Sequence, residues 1–373
     1  MPQLNTIASD ADSAEAKRVL DICNACRYCE GFCATFQALS LRRTVQTNDI
    51  DYLANLCHNC TACFHACQYA PPHEFSINAP QVFSRVRTAS YERFAWPGAL
   101  AILFQRNGLV VSLVSAITIA LTLLFGSLLI SPEVLFESHN ESGAFYLIIS
   151  HQLIAMLAGS IFLFGILSMI IGTVRFWRTG DLPIKTALHP EILWPTLKDV
   201  AALRYLGGGH GKGCNTENES FSNQRRIFHQ FTMWGFLLSF AATCVATFYE
   251  YGLGRFSPFP YFSLPVILGT LGGIGLLLGP AGLTFVKLKS DSRPMNISQY
   301  GMDYAFLASL FFVSLTGLAL LLLRETSAMG VLFLLHFGFV LALFLLLPYS
   351  KFVHGIYRFA ALLRFHGEKR IGQ

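Results

Sequence analysis

Six stretches of this chain are long enough to cross a bilayer and carry almost no charge, and no other feature restricts its fold as much. They run over 108–130, 143–174, 227–249, 261–286, 303–323 and 329–350. None contains Lys, Arg or Glu, and the one Asp, Asp303, opens its stretch. A helix needs about 20 apolar residues to span the hydrocarbon core. In lipid every backbone N–H and C=O must also be satisfied within the segment, which a helix achieves. Buried helices of a soluble domain are the alternative, but such a domain carries roughly twice the charged fraction seen here, 13%. The expected fold is mainly α, with a six-helix transmembrane domain over 107–350.

Lys and Arg orient the spans. With the N-terminus placed inside, the residues before the first span hold 9 of them, the 175–226 loop 8, the 287–302 loop 3 and the tail 351–373 holds 5. Only Arg255 and Arg324 fall in outer loops, so 25 of 27 lie on one side. The positive-inside rule makes that side cytoplasmic, together with both termini. The opening MPQLNTIASDADSAEAK has neither a basic n-region nor an apolar h-region, so no signal peptide is expected and the cysteines should stay in a reducing compartment. Residues 71–106 read as a connector to the membrane. Within it, the four prolines of 68–97 predict an extended chain, and Tyr91 to Trp96 an interfacial anchor. In the cytoplasmic loop, 182–206 has the pattern of an amphipathic helix on the membrane surface, with Trp194 at headgroup level. The stretch GGGHGKGC (207–214) lacks the G-x4-G-K-[ST] spacing and follows no strand, so it reads as a loop and not a phosphate cradle.

Eight of the ten cysteines lie in two runs of one spacing, C-x2-C-x2-C-x3-C: Cys23, Cys26, Cys29, Cys33 and Cys57, Cys60, Cys63, Cys67. A [4Fe–4S] cube offers four iron corners to four thiolates, and in two-cluster ferredoxins the fourth cysteine of each run ligates the other cube. One cluster is therefore expected on Cys23, Cys26, Cys29 and Cys67, and a second on Cys57, Cys60, Cys63 and Cys33. Structural zinc uses paired CxxC knuckles and has no role for a third in-line cysteine. Ala34 and Gln68 stand where bacterial ferredoxin runs have proline, so both a βαβ and a helical head remain open. The segment 34–56 reads as a helix, which favours a helical ferredoxin-like head over 1–70. His58 and His65, between the cysteines, are candidates to donate hydrogen bonds toward the clusters. Cys214 and Cys244 read as bystanders.

Imidazole is costly in lipid unless something binds it, and axial ligation of haem is a common reason to keep it there. His151 and His336 fall about eight and seven residues in from the outer ends of the second and sixth spans, or roughly 11 Å deep, and form one candidate pair for haem b. His229 and His354, near the inner ends of the third and sixth spans, form another. His336 and His354 are 18 residues apart. On a continuous helix that puts both on one face about 27 Å apart, with Pro348 between them as a potential kink. One haem or two is therefore expected. A hydrogen bond to a neighbouring helix is the alternative for each histidine. His139, His189, His210 and His366 read as solvated. Arg225, Arg226 and Lys351 on the inner side, and Arg324 outside, are candidates to pair with propionates.

The segments LDICNACRYCEGFCATFQAL and LCHNCTACFHACQYAPPHEFSINAP resemble the tricarballylate- and citrate-utilization protein B family. So do RYLGGGHGKGCN and RRIFHQFTMWGFLLSFAATCVATFYEY, and the resemblance covers nearly the whole chain. LPYSKFVH (347–354) is similar to the stretch carrying a haem-ligating histidine in nitrate reductase gamma subunits, which supports His354 and, by spacing, His336. The family resemblance implies a protein of the bacterial inner membrane. It would take electrons from a cytoplasmic FAD-dependent tricarballylate dehydrogenase and pass them through iron–sulfur clusters and haem to quinone. No catalytic residue and no nucleic-acid partner is expected. Two other functions fit the same motifs: a quinol-oxidising anchor for another reductase, and a membrane iron–sulfur redox sensor.

Overall fold

A computed structural model describes residues 3–208 and 211–371; Gly209 and His210 of the glycine-rich loop lie outside the described residues. The chain is helical, and among the described residues the only β feature is an isolated bridge between Cys214 and Ser222. The head consists of α1 (Gln3–Cys26), α2 (Ala34–Ser40), α3 (Thr47–Leu56) and α4 (Ala79–Phe94). The membrane part holds α5 (Asn107–Leu129), α6 (His151–Trp177), α7 (Pro190–Ala201), α8 (Gln224–Leu253) and α9 (Leu264–Leu288). It continues with α10 (Tyr300–Leu323), α11 (Met329–Leu346) and α12 (Val353–Ile371).

Each head helix buries one stripe. Ala16, Val19 and Leu20 of α1, Ile50, Leu53 and Ala54 of α3, and Val82, Phe83 and Val86 of α4 recur at the three- and four-residue spacing of a helix face. Burying Leu20, Leu53 and Phe83 contributes about 1.5–3 kcal/mol each. A capping box starts α3, with the Gln46 side chain accepting from the third residue and Asp49 reaching back. The expected single helix over 34–56 is instead α2 and α3, with a bend between them.

The connector departs from its predicted extended form. Asn78 caps α4 by accepting from the Gln81 N–H, and Pro80 sits in the first turn, where its missing N–H leaves no bond unmade. Three of the four prolines do lie outside helix. Tyr91 of α4 stacks on Tyr357 of α12, ring centroids 5.5 Å apart, so the connector is packed into the core and does not merely span to the membrane.

Among the described residues, six helical stretches are long and apolar enough to cross a membrane: Asn107–Leu129, His151–Trp177, Gln224–Leu253, Leu264–Leu288, Ile297–Leu323 and Met329–Ile371. Rows of leucine and phenylalanine on their outer faces are exposed, as lipid-facing surfaces are. The closest helix pair is α8 with α9. A Cβ on Gly235 would come within 2.9 Å of the Gly272 carbonyl, and one on Gly279 within 2.4 Å of the Thr232 hydroxyl, so only small residues permit this approach. Most boundaries shift by a few residues, and two differ in kind. A short turn, Phe145–Ile148, precedes a break at Ser150, and α6 begins at His151 itself. The last span ends at Leu346 and passes through a 3-10 turn containing Pro348; α12 then runs back along the head. The expected surface helix is α7, with Trp194 exposed, flanked by the turns Ile184–Ala187 and Arg204–Gly207.

Candidate functional site

Two cavities in the head are lined by cysteines. The first is bounded by Cys23, Cys26, Cys29 and Cys67 with Ile22, Tyr28, Phe36 and Tyr69. The second is bounded by Cys33, Cys57, Cys60 and Cys63 with His58, Asn59, Thr61 and Phe83. The fourth cysteine of each run thus lines the cavity of the other. The local fold explains this. In the first run Cys23 and Cys26 end α1 and Arg27 then takes positive φ, whereas in the second run Asn59 and Thr61 take positive φ in the loop between Cys57 and Cys63. Cys33 then begins α2 and turns away from its own run. Among the described residues no three His, Cys, Asp or Glu side chains converge where a single ion would sit.

The cavities differ in access. Cys26 is exposed, whereas Cys33, Cys57 and Cys60 are buried. Burial, with the neighbouring thiols, pushes Cys23 and Cys29 up to about 12 and Cys33 up to about 11. The Cys60 and Cys63 thiols are driven well above their ordinary value for the same reasons. Free thiols here would stay protonated at neutral pH, so the thiolates needed as ligands form only against a bound cationic core.

His58 and His65 do not bond to cysteine sulfur. His58 Nδ1 meets the Leu56 carbonyl at 2.8 Å, and His65 Nε2 lies 3.9 Å from Asp291. Burial and the charges of Arg358, Arg225 and Arg87 hold the His58 imidazole well below its usual value, so it is neutral. The sulfur of Cys57 instead accepts from the Asn59 N–H at 3.4 Å. Cys214 is buried beside Cys60, donating to the Leu206 carbonyl at 2.7 Å; composition and spacing had given no hint of this. The loop that carries it covers the second cavity, through Asn215 N–H to the Cys60 carbonyl at 3.2 Å.

Of the four membrane histidines, two are brought together. The rings of His229 on α8 and His354 on α12 face each other, centroids 6.0 Å apart and 75° between planes. His354 Nδ1 meets the Lys351 carbonyl, and a proton there leaves the Nε2 lone pair free for a metal. His229 Nδ1 is buried without a partner. Metal–imidazole bonds are about 2 Å, so the two rings leave room for one iron between them, and the residues fit a bis-histidine haem.

His151 and His336 are placed differently. His151 Nε2 lies 3.2 Å from a Glu250 carboxylate oxygen, in a cluster where Glu250 also accepts from the Tyr146 and Ser257 hydroxyls. His336 Nδ1 is 3.1 Å from the Thr316 hydroxyl, and its ring rests on Gly317 of α10. No described contact joins the two. The other histidines also vary. His189 is exposed, but His139 meets the Val134 carbonyl at 2.8 Å, and His366 is paired with Asp199 at 3.1 Å, so these two are not solvated as expected. Of the propionate candidates, Arg226 donates to the Ala202 carbonyl and Arg324 to the Phe259 carbonyl. Lys351 pairs with Asp303 at 2.8 Å, and Arg225 donates to the Asn59 carbonyl.

Two family models match the chain. The Citrate utilization protein B Fer4-like domain covers residues 16–93, and Citrate utilization protein B covers residues 103–373. The Escherichia coli protein described as Citrate utilization protein B is 48% identical over 365 residues, which is 96% of this chain and 93% of that protein. No solved structure matches. The Fer4-like match and the two cysteine sets together fit an iron–sulfur electron-transfer role.

Proposed function

Because the chain belongs to the Citrate utilization protein B family, we propose that it carries electrons from a cytoplasmic FAD-dependent dehydrogenase of the tricarballylate type to the quinone pool of the bacterial inner membrane. The route runs through two [4Fe–4S] clusters and haem b. One observation carries this reading: the cysteines fall into two sets, one with an exposed member, and Arg225 and Arg358, from the two helices that carry His229 and His354, donate to the loop of the other set.

Cys23, Cys26, Cys29 and Cys67 would hold the first cluster, where exposed Cys26 gives a docked flavoprotein its nearest approach. Cys33, Cys57, Cys60 and Cys63 would hold the second, where Leu203, Leu206 and Cys214 pack against Cys60. The clusters supply one-electron carriers, which divide the electron pair released by a flavin. His229 and His354 would bind haem iron from opposite sides. Arg358 sits one helical turn beyond His354 and donates to the Cys57 carbonyl at 2.9 Å, so the ligand helix and the second cysteine loop are joined through one side chain. His151 and His336 complete the proposed set of axial ligands, and a second haem there requires the His151 ring to leave Glu250. Both termini and the head face the cytoplasm in this reading, in agreement with the distribution of Lys and Arg.

Iron and sulfide analysis with a pyridine haemochrome assay tests the cofactors. About eight cluster irons per chain plus at least one haem b is the expected result. Fewer than about four irons and no haem would remove the electron-transfer reading. Direction is tested by mixing with a purified flavoenzyme partner. Haem that is reduced by the flavoenzyme and reoxidised by quinone fits, whereas reduction by quinol alone favours the opposite flow.

A further inference from the structure

Three arginines stand between the second cysteine set and the histidine pair, and among the described residues none of them meets a carboxylate. Arg87 and Arg358 both donate to the Cys57 carbonyl, at 2.7 and 2.9 Å, and Arg225 donates to the Asn59 carbonyl. Arg87 also lies against the Tyr91 hydroxyl and Arg225 against the Cys214 thiol, neither of them anionic. The Nε of Arg358 is buried without an acceptor. Arginines elsewhere at the junction of head and membrane part behave otherwise: Arg42 and Arg364 share the Asp49 and Glu368 carboxylates. Arg87 is buried and Arg225 and Arg358 are half-buried, and a guanidinium drawn out of water without a counter-charge is unfavourable. Three of them converging on one loop call for an anion inside that loop.

The placement is systematic. Arg225 precedes His229 by one helical turn on α8, and Arg358 follows His354 by one turn on α12, so each shares a face with its histidine. Arg87 reaches the same carbonyl from α4. All three lie close to His58, which lines the same cavity. Four thiolates on an iron–sulfur cube leave it with net negative charge that grows by one on reduction, and this cavity is lined by four cysteines.

We propose that Arg87, Arg225 and Arg358 form a positive bridge that favours the reduced state of the second cluster over that of the first, drawing electrons toward the membrane. This rests on the cluster assignment of the reading above. The three are positioning residues: they act on the cluster by charge through the loop they hold. Their permanent charge suits the task, since guanidinium does not lose its proton in proteins. The loop of the first set carries one arginine, Arg27, which is exposed and donates to the Asn24 carbonyl at 3.1 Å, so its charge is screened by water.

The test is a redox titration of the full-length protein in detergent, with the clusters followed by electron paramagnetic resonance and any haem by absorbance. Arg358→Gln should lower the equilibrium constant for reducing the second cluster about tenfold, which is 59 mV for one electron, and leave the first cluster within about threefold. Arg358→Lys keeps the charge and should stay within about threefold of wild type. If Arg358→Gln fails to retain its clusters, Arg225→Gln on the other helix carries the same expectation. The proposal is overturned if the Gln variants leave the second cluster unmoved, if both clusters shift alike, or if the Lys variant shifts as far as Gln. A wild-type chain without haem would remove the haem step of the reading and leave this cluster measurement intact. A chain without clusters would overturn both.

Discussion

At the scale of single side chains, the membrane histidines divide by what their ring nitrogens meet. His354 presents a lone pair because Lys351 holds its other nitrogen, and His229 faces it with one nitrogen unpartnered. Replacing either should therefore abolish one b-type absorption band while cluster iron and sulfide are retained; His229→Leu or His354→Leu with unchanged haem content would exclude this pair. His336 offers a second, independent measurement. If it ligates, His336→Leu lowers haem from two per chain to one, and an unchanged spectrum limits the chain to the inner haem. The four candidates were legible from depth and spacing, but the partner of His151 was not. The charge-free run over 227–249 ends one residue short of Glu250, so the sequence reading set that carboxylate outside the span. In the structure α8 continues through Glu250 to Leu253, and the side chain turns back onto His151. The crossed cysteine sets needed no such tertiary knowledge, because ligand number and loop length restrict them within one short region.

At the scale of elements, α12 decides how the head sits on the membrane part. Its Glu368 accepts from Arg42 at 2.8 Å and from Arg364 at 2.7 Å, and Tyr52 of α3 donates to the same carboxylate at 3.1 Å. Removing one partner from such a half-enclosed network leaves guanidinium charge uncompensated, so Glu368→Ala should cost about 3 kcal/mol. It should release cluster absorbance at a lower temperature than wild type; an unshifted melt would show that apolar packing alone seats the helix. The other edge of α12 holds α7 through His366 and Asp199. Burial pushes the Asp199 carboxyl up, but the His366 hydrogen bond and the Arg204 charge outweigh it and set it below its usual value. A depressed folded value means stabilisation present above the unfolded value near 3.9 and lost as pH falls through the folded one. Acidification below about pH 4 should then free α7 from α12, seen as a change in Trp194 fluorescence that Asp199→Asn already shows at neutral pH. No change in either case would separate α7 docking from this pair. The sequence could not have shown this role for α12. Its residues looked like a polar tail because their partners, Asp49, Asp199 and the Cys57 carbonyl, lie far away in the chain. The spans themselves were legible, since lipid demands a local solution for every backbone bond. Their ends were less so, because Ser150 and Pro348 interrupt apolar runs that composition alone leaves continuous.

For the whole molecule, the order of the sites follows from what covers each one. The first cysteine set lies at the solvent face of the head, with Cys26 and the Tyr28 ring exposed. The second lies beside α4, Leu203, Leu206 and Cys214 pack against its Cys60, and arginines from α4, α8 and α12 hold its loop. Among the described residues, the first set is thus the one with an exposed cysteine, and it is the loop of the second set to which α8 and α12 donate hydrogen bonds. The same asymmetry governs chemical access. A membrane-impermeant iron chelator added to oxidised protein should withdraw about four of about eight cluster irons first, in a distinct fast phase. That phase should abolish reduction by the flavoenzyme partner while dithionite still reduces any haem. Cys26→Ser should lose the fast-phase iron from the outset and leave the slow phase unchanged. Release of all the iron in a single phase would mean that the two sets share one environment, and with it would go the sequence of carriers from flavin to membrane.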